Sequence, residues 1–278
     1  MGWGFLGIIC AVCAVCCACG FKKFVWFLSI GYGFAIAGGG ITILILTLAN
    51  GWGGAATWLA VLQALLFIAY GARLSGFLLY RELKNKAYVK TLNEDAGGDK
   101  KMPIFVLAAI WIFVSVLYTA QVSPMFFRYY NMRADGLIAS PDYVLPIIGM
   151  LISVLGLCVE ALADKQKSDQ KKVNPKMVAT QGLYKLVRCP NYLGEITFWI
   201  GVFVAGITAF KTVGQWIMAI LALIAIVFIM FNGAQRLEKR QNERYGNNKT
   251  YLEYANSTPI ILPFIPLYHL NKPEKKVK

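Results

Sequence analysis

The chain has 278 residues, is 58% hydrophobic and 15% charged, and carries a net charge of +14 with a mean hydropathy of +0.55. A soluble domain would carry about 25% charged residues, so the composition excludes an ordinary water-soluble fold and points to an all-α integral membrane protein. The basic residues fall in alternate loops rather than on one recognition face, which marks membrane orientation and argues against a nucleic-acid partner.

Seven apolar segments lie near the roughly 20 residues needed to span hydrocarbon, over residues 3–19, 24–48, 55–80, 104–127, 143–163, 192–209 and 213–232. The first holds five of the seven cysteines, Cys10, Cys13, Cys16, Cys17 and Cys19, of which Cys10, Cys13 and Cys17 share a helical face. A metal or redox site is one reading. Packing by small, soft residues is the other, and with no histidine or acid nearby to complete a ligand shell no metal is expected. Lys22 and Lys23 follow at once, as suits an anchor whose N-terminus lies outside. The second segment is glycine-rich (Gly31, Gly33, Gly38, Gly39, Gly40), which serves either close helix packing or space for a flat ring system.

The third segment places Gln63, Tyr70, Arg73, Phe77 and Arg81 along one helical face. A guanidinium partway into an apolar helix turns inward, toward a partner or a wet cavity. A basic stretch from Arg81 to Lys101 follows, with a Gly97-Gly98 turn. After the fourth segment, the loop 128–142 balances Arg128 and Arg133 against Asp135 and Asp142. No acid occurs before Glu82, so the few near the membrane carry information. In the fifth segment Glu160 follows twelve residues of which eleven are apolar or glycine, and Asp164 lies one turn on, on the same face, ahead of Lys167 and Lys171. Next comes Gly182-Leu183-Tyr184, then Arg188-Cys189-Pro190-Asn191-Tyr192-Leu193-Gly194-Glu195, a polar signature running straight into the sixth segment. Beyond the seventh, Asn232, Gln235, Arg236, Glu238, Arg240 and Glu243 predict a charged helix ending near Gly246. The stretch through Tyr251, Tyr254 and Pro259 to Phe264 then reads as an interfacial segment. The only histidine, His269, proposes nothing by itself.

Lys22–Lys23, Arg81–Lys101, Lys165–Arg188 and everything after Arg236 form the basic set of loops, so the N-terminus is expected outside and the C-terminus in the cytoplasm. One membrane domain over 1–278 is expected: a first anchor helix (1–23), a core (24–268) and a basic tail (269–278).

At these motifs the chain resembles the steroid 5α-reductase family, its bacterial relatives especially, over residues 24–268. The resemblance rests on Gly182-Leu183-Tyr184 and Arg188 through Glu195, supported by Arg73-Leu74 with Arg81, the Glu160/Asp164 stripe, and Tyr251-x-x-Tyr254 before Leu262-Pro263-Phe264. It implies a seven-helix membrane enzyme that takes NADPH from the cytoplasm and reduces a carbon–carbon double bond conjugated to a ketone. The implied substrate is lipid-soluble, a 3-oxo-Δ4-steroid or sterol-like compound. By the same resemblance, Tyr70 hydrogen-bonds the substrate ketone; Gln63, two turns away on the same face, is the residue read as orienting it. Arg73, Arg81, Lys84, Glu160, Asp164, Lys171, Tyr184, Arg188, Asn191 and Glu195 form the cofactor side, joined through a looser alignment by Arg236 and Arg240. The C-terminal interfacial helix is expected to close the cofactor site, and the enzyme to act as a monomer among membrane lipids. Two departures stand out. Cys189 occupies the usual histidine position, and the glutamate that the steroid reductases place on an earlier helix has no counterpart, leaving Gln63 as the substitute.

The chemistry matches these parts. A hydride acceptor must be held against the nicotinamide, the developing enolate needs a donor such as Tyr70, and the cofactor phosphates need cations. Two alternatives stay open. An isoprenylcysteine-type membrane methyltransferase using S-adenosylmethionine has a similar Arg-His-Pro-x-Tyr signature, and a non-catalytic lipid-binding membrane protein would need no cofactor.

Overall fold

The computed structural model describes residues 2–84, 102–134 and 142–271, and these are built from helices, with no strand among them. The Gly97-Gly98 turn, Asp135 and the tail Lys272–Lys278 lie outside the described residues. Seven segments are long and apolar enough to cross a membrane: Trp3–Phe21, Phe24–Ala49, Gly54–Lys84, Ile104–Arg133, Val144–Val173, Pro190–Ala209 and Val213–Tyr245. All seven expected spans are present, and the chain is an all-α integral membrane protein.

The helices are α1 (Trp3–Cys17), α2 (Ile30–Ala49), α3 (Thr57–Lys84), α4 (Ile104–Ala134), α5 (Val144–Val173), α6 (Pro190–Gly206), α7 (Val213–Tyr245) and α8 (Lys249–Ser257), with short 3₁₀ turns between several of them. Four of them outrun the apolar segments that predict them. α5 continues through Lys165–Lys172 and α7 through Arg236–Arg244 because Lys, Arg, Glu and Gln are good helix formers once outside hydrocarbon. Local chemistry sets the ends. Asp142 caps α5, its Oδ1 accepting from Val144 N at 3.0 Å, and the residue before Pro175 ends it. Pro190 sits at the first position of α6, where no N–H is needed. Asn248 caps α8 through Tyr251 N at 3.2 Å.

The chain packs as two compact units, Met1–Met150 with Val202–Ala222, and Leu151–Gly201 with Leu223–Lys278. In the first, the glycines of α2 serve close helix packing. A Cβ on Gly71 would lie 2.3 Å from Gly33 O, one on Gly33 would lie 2.3 Å from Ser75 Oγ, and one on Gly40 would meet Phe67 at 2.9 Å. The cysteines of α1 belong to the same packing. Cys13 and Cys17 are fully buried, and each thiol donates 3.7 Å to α2, to Ala35 O and Gly31 O respectively. Arg128, expected in a loop, instead lies within α4, its Nε 2.6 Å from Ala205 O and its Nη2 2.6 Å from Thr208 Oγ1. Beside it, Asn131 bonds Ala209 O and Gln215 Oε1.

In the second unit α5 and α6 touch backbone to backbone. A Cβ on Gly156 would lie 2.4 Å from Phe198 N and 2.6 Å from Gly194 O, and Ser153 adds a bond to Phe198 O at 2.9 Å. The loop after α5 is tied back to the extension of that helix. Gln170 Oε1 accepts from Thr180 N and Gln181 N, and Gln166 Oε1 accepts from Leu183 N at 2.8 Å. Gly182, at φ +69, has Gln166 so close that a side chain would collide with it, a left-handed position that suits glycine.

Candidate functional site

In the first unit, Gln63 and Tyr70 lie on the buried face of α3, Tyr70 with no solvent exposure at all. Tyr70 meets Tyr32 of α2 edge-on, with ring centroids 5.8 Å apart, and Tyr32 stacks on Tyr118 of α4 at 4.7 Å. Gln121 Nε2 reaches the Tyr32 hydroxyl at 3.4 Å, and the Tyr118 hydroxyl donates to Phe27 O at 2.8 Å. The Gln63 amide oxygen accepts from Tyr129 OH at 2.9 Å. The glutamine expected to orient the Tyr70 phenol is thus bonded to a different tyrosine. Tyr32, Tyr118, Gln121 and Tyr129 went unread in the sequence. Gln121 carried a signal, as an amide inside an otherwise apolar span.

Further along α3, Arg73 and Arg81 are half-buried and Lys84 is exposed. Arg81 lies over Phe77 at 5.5 Å and Lys84 over Tyr80 at 4.9 Å, each covering an aromatic of its own helix. Glu82 pairs with Lys23 and takes the Trp26 indole N–H at 2.8 Å, fastening the turn before α2 to the end of α3.

In the second unit, Glu160 is buried on α5. Its Cγ lies 2.6 Å from where a Gly194 Cβ would be, so the bare glycine admits the carboxylate-bearing chain. Glu195, the next residue, is 5% exposed and accepts from Trp199 Nε1 at 2.9 Å. Glu160 is thus seated against the residue that precedes Glu195 in the sequence. Asp164 and Asn191 are half-buried. Lys171 donates to Met177 O, to Pro175 O at 3.2 Å and to Tyr245 OH at 3.0 Å, so its ammonium is engaged by its own loop and by α7. Tyr184 is buried, its hydroxyl 3.3 Å from Ala163 O and its carbonyl accepting from Tyr254 OH at 2.7 Å. Burial, with Asp164 nearby, pushes the Tyr184 phenol far above its usual range. Burial likewise raises Tyr254.

Arg188 is held inside the unit. Nη2 pairs with Glu238 at 2.7 Å and also donates to Tyr268 O, while Nε and Nη1 are buried with no hydrogen-bond partner among the described residues. Cys189 is buried, and that burial pushes its thiol up to about 12, so the residue in the usual histidine position stays protonated. Arg236 and Arg240 are exposed on α7, one turn apart, while Glu238 between them faces inward. Glu238 and His269 were not counted among the site residues, yet they bond each other at 3.0 Å.

Chemically, the first unit gathers phenols and amides in apolar surroundings, groups of the kind that polarise a carbonyl, several of them bonded to one another or to backbone. The second offers acids and cations near helix ends, which suit a polar, phosphate-bearing ligand.

Residues 32–258 match the family described as Protein of unknown function (DUF1295). The chain belongs to that family. The family is steroid 5α-reductase-like: the chain is 21% identical to 3-oxo-5-alpha-steroid 4-dehydrogenase 1 of Bos taurus over 170 residues, 60% of this chain and 59% of that protein. It is 26% identical to Steroid 5-alpha-reductase DET2 of Gossypium hirsutum over 122 residues, 43% of this chain and 42% of that protein. These alignments span about three-fifths or less of the curated relatives' length. No solved structure matches the chain.

Proposed function

We propose that this family member is an NADPH-dependent reductase of a lipid-soluble enone, with a 3-oxo-Δ4-steroid or sterol-like compound as substrate. The observation that carries the reading is Tyr70, a phenol without solvent exposure on a membrane helix, in edge-on contact with Tyr32, in a chain akin to steroid 5α-reductases. Such a phenol donates to a ketone oxygen, and the donation strengthens as that oxygen gains enolate charge. No acid is needed for that role. Tyr32, stacked on Tyr118, backs the ring of Tyr70 and limits its tilt.

A dinucleotide fits the donor set of the second unit. Two buried nitrogens of Arg188, Nε and Nη1, lack a partner among the described residues, the exposed Arg236 and Arg240 add charge, and Asn191 and Glu195 lie on the first two turns of α6, just after Arg188 in sequence. Arg188, Arg236 and Arg240 would hold phosphates and Lys171, its three donors taken by Pro175 O, Met177 O and Tyr245 OH, would add its charge alone, while Asn191, Glu195, Glu160, Asp164 and Tyr184 would fix the uncharged parts. NADPH supplies hydride for the β-carbon of the enone. The residues of the chain bind, orient and exclude water around that transfer. For Arg73, Arg81 and Lys84 of the first unit, a cofactor role rests on the family resemblance of their positions alone.

The excess of Lys and Arg in alternate loops supports an N-out, C-in orientation, with the cofactor taken from the cytoplasm. The test is purified protein in lipid nanodiscs with a panel of 3-oxo-Δ4-steroids, followed by nicotinamide absorbance and mass spectrometry of the product. NADPH should be consumed with the double bond reduced, and NADH should serve at least about tenfold worse if cations read the 2′-phosphate. Turnover of S-adenosylmethionine instead would overturn the reading in favour of a methyltransferase.

A further inference from the structure

The segment after α8 has no regular structure, yet its backbone is among the best-fastened in the second unit. Pro259 O and Ile260 O accept from Arg188 N and Cys189 N, both at 2.8 Å, and Ile260 N donates to Leu267 O at 2.9 Å. At its far end Glu238 Oε2 accepts from Leu270 N, Asn271 N and Asn271 Nδ2, each at 2.9 Å. Glu238 Oε1 takes Arg188 Nη2 at 2.7 Å and His269 Nδ1 at 3.0 Å, and Arg188 also donates to Tyr268 O. The side chains of Arg188 and Glu238 are 2% and 0% exposed. Between the two ends, Ile260 and Ile261 are buried against Cys189, Ile196 of α6 and Ala234 of α7.

The anchored points on the other side are the opening of α6. Cys189 is the residue on which the helix starts: its carbonyl accepts from Tyr192 N and Leu193 N, both at 3.1 Å. A helix start leaves backbone N–H groups without intrahelical partners, and here the two just before the first turn are taken by the segment's carbonyls. Asn191 and Glu195 sit on the two turns that this start directs. A carboxylate that gathers five donors, among them a buried guanidinium, is not a stray surface ion pair. It has the satisfied geometry that a buried charge requires.

We propose that residues 258–271 form a strap, buckled by Glu238 through Arg188, His269 and Asn271, that fixes the start of α6 and so positions Asn191 and Glu195 for the nucleotide. Glu238 is then a positioning residue that touches no ligand. The strap itself stands on the geometry above, and its consequence for the nucleotide rests on the reductase reading.

Two variants test it, Glu238→Gln and the milder Asn271→Ala, the second removing only a partly exposed side chain at the strap's end. Both are read by hydrogen exchange with mass spectrometry in nanodiscs and by steady-state kinetics with NADPH and a 3-oxo-Δ4-steroid. Glu238→Gln should speed exchange about tenfold or more in peptides covering 258–271 and also in those covering 186–192, with α2 and α3 unchanged. Asn271→Ala should move the same peptides by a smaller factor. The Michaelis constant for NADPH should rise on the order of tenfold in Glu238→Gln, while kcat at saturating NADPH stays within about twofold. Faster exchange in the strap with unchanged exchange at 186–192 would overturn the coupling. Coupled exchange with an unchanged Michaelis constant would overturn the positioning role. A wild-type protein that never oxidises NADPH would overturn the reductase reading and with it the nucleotide clause, while the exchange data would still decide whether the strap holds the helix start.

Discussion

Replacing Gly194 by alanine tests whether the contact of α5 with α6 is the foundation of the cofactor side. The new methyl would sit 2.6 Å from Glu160 Cγ, 2.8 Å from Gly156 O and 2.9 Å from Glu160 N. Two of these three atoms are backbone, so no rotamer change relieves the clash, and the helices must part by roughly 0.5–1 Å. Overpacking of this kind costs about 1–3 kcal/mol. The better helix propensity of alanine returns up to about 1 kcal/mol, leaving a net loss. For a chain of this size that corresponds to a fall of a few degrees in melting temperature, at roughly 2–4 °C per kcal/mol. Gly76→Ala is the internal control, because a Cβ there meets nothing within 4 Å and gains the propensity without a clash. Scanning fluorimetry in one detergent, at one scan rate, should place wild type between the two variants. Gly156→Ala should be the worst of the three, since its nearest atoms, Phe198 N at 2.4 Å and Gly194 O at 2.6 Å, are both backbone. The reasoning fails if Gly194→Ala melts at or above Gly76→Ala.

Three further outcomes follow from single contacts. Tyr70→Phe should lower turnover about 10²–10³-fold with NADPH affinity unchanged, measured by steady-state kinetics and nucleotide titration; full turnover would remove Tyr70 from the chemistry. Gln63→Leu strips Tyr129 OH of its acceptor and should cost about 1–3 kcal/mol, whereas the pair Gln63→Leu with Tyr129→Phe should recover much of that, and simple additivity of the singles in thermal melts would refute the pairing. Cys189 has its thiol pushed up to about 12 by burial. Because a raised value keeps the neutral form at all lower pH, thiolate appears only as the pH climbs toward that number, and maleimide at pH about 8 should label Cys189 only after denaturation. Rapid labelling of the native protein, read by peptide mass spectrometry, would contradict this.

Hydrocarbon thickness made the architecture readable, since each span must be long and apolar, and the motif from Arg188 to Glu195 made the second unit readable. Helix ends were harder. The extension Lys165–Val173 is polar, so hydropathy stops where helix propensity does not, whereas the charged helix expected to end near Gly246 does end there, at Tyr245. Tertiary partners were hardest. On a helical wheel Gln63 and Tyr70 share a face, but which phenol the amide meets depends on where α4, the next span, puts Tyr129. Arg188 shows the same limit. Its charge invites a phosphate, and only the fold reveals that Glu238, fifty residues on, already holds one side of it. The glycines of α2 allowed two readings, and the distances to Gly71, Ser75 and Phe67 decide for close packing.

The absence of the family's early glutamate has a consequence for pH. Of the polar side chains named above on the Tyr70 side of the first unit, Gln63, Tyr32, Tyr118, Gln121 and Tyr129 are neutral, and Arg73, one turn along the same face of α3, is a fixed cation. Burying a lone carboxylate among them would demand a partner, and amides avoid that demand while still presenting oriented dipoles. Neither an amide nor a phenol changes charge between about pH 5 and 8. The substrate side of the reaction should therefore run without a titrating group in that window, and kcat at saturating NADPH should be flat across it. The measurement is a pH profile of kcat on wild type and Tyr70→Phe in the same nanodiscs. A bend within the window that disappears in Tyr70→Phe would mean that an ionising partner acts through the phenol, and the neutral cluster would then be the wrong account of how this chain manages without the glutamate.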